Sequence, residues 1–274
     1  MSNTRSPRRI LAVSFRWFLG LMVLAMLSTR LFLDQPRRKD KAIATVASAQ
    51  GVVRLKNDEK PSTWLKQHAG VGILHDIDVI NLDGRPITEN DLANLAGIKR
   101  LKKLYLNGTP ISDEGARYLE DFSDLEILEL RETRFGDQGA THLTGLKNLR
   151  ALYLYGTLVG DAGMAPLGQL QRLEELSLSR TEVGDAGLRH LSRLDGLKSL
   201  KLGRTRVTDA GLSHLGRLKH LEFLDLSDTL VTDVGLAQLS GLRELKILCL
   251  DGTKVTDRGR VLLQKSLPAL QIFR

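Results

Sequence analysis

From Leu197 to His220 the chain reads LKSLKLGRTRVTDAGLSHLGRLKH, and the same pattern opens at Leu101, Leu125, Leu149, Leu173, Leu221 and Leu245. The spacing is 24 residues at every step. The shared template is L-x-x-L-x-L-x-x-T-x-[V/I/F]-x-D-x-G-x-x-x-L-x-x-[L/F]-x-x. A fixed period of this length describes a solenoid, in which each unit buries its apolar face only against its neighbours. The stretch Ile77–Arg100 is a degenerate first copy: Arg85 stands for the Thr, Glu89 for the Asp and Asp91 for the Gly. Atypical terminal copies are expected of such arrays. At the other end Arg260 replaces the small or apolar residue of the other copies, and Leu270–Arg274 starts a further strand.

Each template position has a physical reading. The segment x-x-Leu-x-Leu is a short strand whose leucines point inward while the residues between them point out. Strands one repeat apart stack in parallel. The threonines Thr109, Thr133, Thr157, Thr181, Thr205, Thr229 and Thr253 form an inward column whose hydroxyls serve backbone groups leaving the ladder. Thr208, Thr232 and Thr256 suit helix N-caps, and the Asp that follows sits in the first helical turn against the positive helix end. The Gly two residues later leaves room where consecutive helices crowd. A single column of Asp residues lacks the six to eight oxygens of a calcium site, so capping is its expected role.

These motifs resemble the leucine-rich repeat over residues 77–273, with Thr where that family usually has Asn or Cys. The V-T-D-x-G-L variant looks like the subclass found in F-box substrate receptors and in many bacterial envelope proteins. The resemblance implies an α/β fold: a curved solenoid with a parallel sheet on the concave face, helices on the convex face, and protein ligands bound by the sheet.

The N-terminal part carries the charge. Net charge is +8, and residues 1–60 account for all of it, with 12 Lys or Arg against 4 Asp or Glu. The repeats are therefore neutral overall and lack the basic stripe of a nucleic-acid-binding solenoid. Residues 1–9 form a basic flank. Residues 10–33 are mostly apolar and are expected to be a transmembrane signal anchor, although the longest uncharged run, Trp17–Thr29, is only 13 residues. Arg16 and Arg30 would have to snorkel. A cleaved signal peptide is the competing reading. Residues 34–39 read as a linker and 40–76 as an N-terminal cap: a helix with Ile43, Val46 and Ala47 on one face, a strand at Val52–Leu55, and a short helix carrying a buried Trp64. Residues 77–274 form the repeat domain. With an anchor in the place of an F-box, the chain looks like a bacterial membrane-anchored repeat protein, single-pass, with the side of the membrane unassigned. An F-box-type adaptor in ubiquitin ligation and a passive envelope spacer are the alternatives.

Chemistry is sparse. Cys249 is the single cysteine, so no intramolecular disulfide forms. His142, His190 and His214 share one polar helix position, which reads as solvated surface rather than a metal site, and His68 and His75 read as structural. No nucleophile–base pair, phosphate loop or isolated carboxylate pair stands outside the repeated positions, so the expectation is a non-catalytic module without a cofactor or metal. The outward strand positions are where a partner docks. Three of the four tyrosines fall there, and Lys103, Tyr105, Glu129, Arg131, Tyr153 and Tyr155 make the expected protein-binding patch, since Tyr and Arg are enriched at binding hot spots. The later strands look bland, with Ser177, Ser179, Ser199 and Ser227. One further column, Asp78, Lys102, Glu126, Arg150, Glu174, Lys198, Glu222 and Lys246, alternates in sign without exception. It reads as a device that holds the stacking register.

Overall fold

A computed structural model describes residues 41–42, 44–55, 77–96, 98 and 100–274. One ten-stranded sheet runs through them in sequence order. Strand β1 (Val52–Leu55) pairs antiparallel with β2 (Ile77–Asn81), Val53 opposite Ile80. The remaining strands are parallel: β3 (Lys103–Tyr105), β4 (Ile127–Glu129), β5 (Ala151–Tyr153), β6 (Glu175–Ser177), β7 (Ser199–Lys201), β8 (Phe223–Asp225), β9 (Ile247–Cys249) and β10 (Gln271–Phe273). The register advances by one repeat per strand, so Leu104, Leu128, Leu152, Leu176, Leu200, Leu224 and Leu248 lie side by side. All seven are buried, and the second leucine of each pair, Leu106 through Leu250, is buried with them.

The opposite side is built of short helices: α2 (Glu89–Leu95), α3 (Asp113–Ala116), α4 (Asp137–Thr141), α5 (Met164–Leu167), α6 (Asp185–Leu188), α7 (Asp209–Leu215), α8 (Asp233–Ala237) and α9 (Asp257–Ser266). Some continue as 3-10 turns, as at Arg117–Asp121, Arg189–Arg193 and Gln238–Gly241. The core is a single leucine-rich layer between sheet and helices, with Phe122 and Phe135 its largest fully buried side chains. Before β1, residues 44–48 are helical (α1), with Ala42, Thr45 and Val46 buried. Ala47, expected on the inner face, is exposed, and Ala49 packs against the core instead. Trp64, His68 and His75 lie outside the described residues.

The membrane anchor expected at residues 10–33 is corrected. That segment lies outside the described residues, and no helix among those described is long and apolar enough to cross a membrane. The physical reason is charge: Arg16 and Arg30 confine the uncharged run to the 13 residues Trp17–Thr29, short of the roughly 20 apolar residues that a spanning helix needs. The membrane as a partner and the single-pass membrane location rested on that anchor and are withdrawn with it.

The threonine column behaves as expected. Thr109, Thr133, Thr157, Thr181, Thr205 and Thr229 are buried, and each hydroxyl donates to the carbonyl three residues earlier, as Thr205 Oγ1 does to Leu202 O at 2.6 Å. Thr208, Thr232 and Thr256 are N-caps whose hydroxyls accept from Ala210 N, Val234 N and Gly259 N. The aspartates, however, act on the next repeat rather than on their own helix. Asp113 Oδ1 accepts from Gly136 N, and Asp137 and Asp161 each accept two backbone N–H groups of the following repeat. Asp185, Asp209 and Asp233 each take both the N–H and the hydroxyl of the next N-cap threonine, at 2.6–2.8 Å. Glu89, one methylene longer in the degenerate first copy, accepts from Ser112 Oγ. The template glycine is explained by the same contact. A Cβ on Gly139, Gly163 or Gly187 would stand 2.6 Å from the Oδ1 of the preceding repeat's Asp. The crowding partner is that carboxylate. Asp91 can replace the glycine in α2, where it closes a capping box with Thr88.

The alternating column forms ion pairs between repeats: Lys102–Glu126 at 2.7 Å, Glu174 with Arg150 at 2.5 Å and with Lys198 at 3.0 Å, and Lys246 with Glu222. Hydrogen bonds from Lys198 and Arg150 hold the Glu174 carboxyl below its ordinary range. Exposed pairs contribute little singly. Lys198→Glu sets three acids on successive strands, and we expect it to lower Tm by about 1–3 °C at low ionic strength, an effect that salt erases. Thermal melts in low and high salt check this; an unchanged low-salt Tm means the column does not act on stability.

Candidate functional site: a groove on the concave sheet

The concave face is a grid whose rows follow from the register. One row, read across β3 to β8, is Tyr105, Glu129, Tyr153, Ser177, Lys201 and Asp225. Two residues further along each repeat stand Asn107, Arg131, Tyr155, Ser179, Gly203 and Ser227. A groove of about 770 Å³ opens over this grid, lined by Asn107, Arg131, Tyr153, Tyr155, Ser177, Ser179, Lys201, Gly203, Asp225 and Ser227, with Glu132, Arg180, Arg204 and Asp228 along one side.

Aromatic rings and cations are interleaved in it. The Arg131 guanidinium lies 4.6 Å from the centre of the Tyr153 ring, and Arg180 lies 5.5 Å from that of Tyr155 while donating to its hydroxyl at 3.0 Å. The Lys201 ammonium lies 5.7 Å from the Phe223 ring centre. Such stacking restrains both members of each pair. The Tyr153 hydroxyl donates to Glu175 at 2.5 Å. Burial, this hydrogen bond and the nearby carboxylates of Glu175 and Glu129 push its pKa far above the usual phenol range, so it stays a neutral donor.

Of the six predicted residues, Arg131, Tyr153 and Tyr155 line the groove. Glu129 stands behind them, holding Asn107 Nδ2 at 2.7 Å and Arg131 at 3.5 Å. Lys103 and Tyr105 lie on β3, toward the N-terminal end of the same sheet. The stretch that looked bland is the groove's floor. Ser177 and Ser179 are only 5% and 8% exposed, and Ser227 lines the same space.

Sequence reasoning missed the residue immediately before each template threonine. That position has a left-handed backbone in every repeat, with φ between 54° and 68° at Gly84, Gly108, Glu132, Gly156, Arg180, Arg204, Asp228 and Gly252. Glycine takes this conformation without steric cost, whereas a residue with a Cβ is disfavoured there. The signal was present as four glycines in one column. The four charged residues that break the column are the ones that line the groove. They interact across repeats: Arg180 with Glu132 at 3.7 Å, passing over Gly156, and Arg204 with Asp228 at 2.9 Å.

Among the described residues no group of three or more His, Cys, Asp or Glu side chains is placed to hold a metal ion. Cys249 is half-buried, and burial raises its pKa, with Asp225 and Asp251 adding to the effect. A thiol so placed is a poor nucleophile.

Comparison with known proteins agrees with this architecture. The leucine-rich-repeat family model matches residues 100–119, 169–192 and 217–240. Among curated proteins none matches the sequence. Internalin C2 of Listeria monocytogenes is similar in structure, at a TM-score of 0.62 and 22% identity, over 85% of this chain and 91% of that one. A leucine-rich-repeat protein of Leptospira interrogans aligns at a TM-score of 0.46 and 18% identity, over 66% of this chain and 57% of that one. The register of the sheet, the three matched segments and the likeness to internalin C2 give the chain the leucine-rich-repeat fold.

Proposed function

We propose that the chain is a non-catalytic protein-binding module of the V-T-D-x-G-L repeat class, which holds an extended segment of a partner protein in the concave groove. The observation that carries this reading is the groove itself: a preformed trough whose aromatic walls, Tyr153 and Tyr155, are each braced by a guanidinium. It runs across the strands of six successive repeats, a span of roughly 24 Å, enough for about seven extended residues. Rigid aromatics with satisfied polar ends present large contact area at low entropic cost.

Selection from a random heptapeptide display library on the full-length chain, followed by titration of the selected peptides, tests the reading. Replacing both walls, Tyr153→Ala with Tyr155→Ala, should weaken binding by about 2 kcal/mol, roughly 30-fold. Gln138→Ala, at an exposed position of α4, is the control. Ser177→Ala would be a poor control, since that side chain is part of the floor. Equal affinity for the tyrosine variant and the control would place the binding site elsewhere.

A further inference from the structure

The middle of the groove is charged in a way that stacking does not explain. In the outer column Asp78 to Lys246, neighbours alternate in sign at every step. In the left-handed row, Arg180 and Arg204 are neighbours of like charge, brought together where Arg180 N donates to Gly203 O at 2.9 Å. Like charges on adjacent strands repel. Both also hold a backbone that disfavours any side chain, with φ of 56° and 58°. A third cation, Lys201, stands beside them on the floor, in register with Ser177. Among the described residues Lys201 forms no ion pair and rests over Phe223 instead. Strained, mutually repelling groups persist at sites of function.

The geometry between them is a slot. Arg180 reaches toward the N-terminal repeats, to Tyr155 and Glu132, whereas Arg204 reaches the other way, to Asp228. Between them the groove reaches down to Ser177 and Ser179, themselves buried and the smallest side chains that line it, while the neighbouring Gly203 is faced by the Asp225 carboxylate, whose Oδ2 stands 3.1 Å from where a Cβ would be. Acids stand at both ends, Glu129 and Glu132 on one side, where Arg131 offsets one of them, and Asp225 and Asp228 on the other. The groove is thus weakly negative, then positive, then negative along its length. Its complement is an extended segment with an acidic residue in the middle and basic residues outside.

Building on the peptide-binding reading above, we propose that the centre of the groove is a carboxylate subsite. Arg180, Lys201 and Arg204 receive the side-chain carboxylate of a Glu or Asp in the partner's extended segment, above Ser177 and Ser179. The ion pairs that hold the two guanidiniums are surface pairs, with Arg side chains 50% and 64% exposed, and exchange readily for an incoming carboxylate.

The test uses amidated heptapeptides with Glu, Gln or Lys at the centre and Ala or Lys at the flanks. Binding to the full-length chain is followed by fluorescence anisotropy. Central Glu should bind about tenfold more tightly than Gln, and Lys flanks should add to this. In Arg180→Gly with Arg204→Gly the preference for Glu should vanish while Tm stays level or rises, because glycine accepts the left-handed backbone. A purely structural role for the two arginines gives the reverse: a lower Tm and an unchanged ratio of Glu to Gln affinity. That result, or a Glu preference absent from the wild-type chain, overturns the subsite. If peptides bind without regard to central charge, and binding is lost with Tyr153→Ala and Tyr155→Ala, the subsite falls and the groove stands. If no peptide of the set binds, both fall.

Discussion

Gly235→Ala should destabilise the repeat domain by about 2–4 kcal/mol. The same exchange in the interior of an exposed helix normally gains about 1 kcal/mol, so the sign itself is diagnostic. Gly235 is buried in α8, and a Cβ there would stand 2.8 Å from the Asp209 Cα and overlap its carboxylate. The carboxylate cannot swing away, because it is bonded to both Thr232 N and Thr232 Oγ1. Nor can the Cα, which belongs to the first turn of α7. The variant therefore either forces the two repeats apart or breaks the Asp209 bonds. Asp209→Ala alone loses those bonds, and in the double variant the losses overlap. Urea denaturation of the four chains should show the pair to be less damaging than the sum by at least about 1 kcal/mol. Gly145, whose Cβ would meet nothing within 4 Å, is the neutral control for the same exchange. A stabilised Gly235→Ala variant, or strict additivity with Asp209→Ala, would show that the carboxylate is not what excludes the methyl group.

The second large effect belongs to the leucine column. Leu200 is fully buried at the centre of β7, between Leu176 and Leu224, and Leu200→Ala should remove about 3–4 kcal/mol. More is expected than a lower midpoint. Solenoid stability is close to a sum of repeat terms and nearest-neighbour interfaces, so a cavity in the middle weakens the link between two halves. Hydrogen exchange in rising urea should show the repeats on the two sides of β7 opening separately. The equivalent change near the end, Ile272→Ala in register with Leu248, should free only the last strand, since β10 pairs with β9 alone. A single sharp transition for Leu200→Ala, at the wild-type steepness, would mean that the repeats are coupled too tightly for a local cavity to divide them.

The period of 24 carried most of this architecture, because strand, threonine turn and helix start recur at fixed offsets and parallel stacking then places equivalent residues side by side. What escaped was of two kinds. The aspartates look like ordinary first-turn acids when one copy is read alone; their partners, such as Thr232 for Asp209, lie in the next copy. The left-handed row was hidden because Glu132, Arg180, Arg204 and Asp228 made its column look variable, although the glycines at 84, 108, 156 and 252 marked the backbone it requires. The lining of the groove was half legible for a related reason. Tyrosines announce themselves, whereas the value of Ser177 and Ser179 lies in being small, which matters only once Lys201 and Arg204 are known to stand beside them. The anchor expected at residues 10–33 depended on Arg16 and Arg30 snorkelling out of an apolar stretch, and no helix among the described residues is long and apolar enough to cross a membrane.

Neighbouring repeats are joined along two separate lines, the backbone ladder of the sheet and the row of carboxylates running from Glu89 to Asp233 on the helix side. A stack joined along one line bends about it like a hinge. A stack joined along two resists flexing, because any change in curvature must stretch one line against the other. The groove is the inner surface of that stiff arch, so its width is set before a partner arrives. A segment too thick for it cannot wedge it open, and one that fits spends no binding energy on closing it.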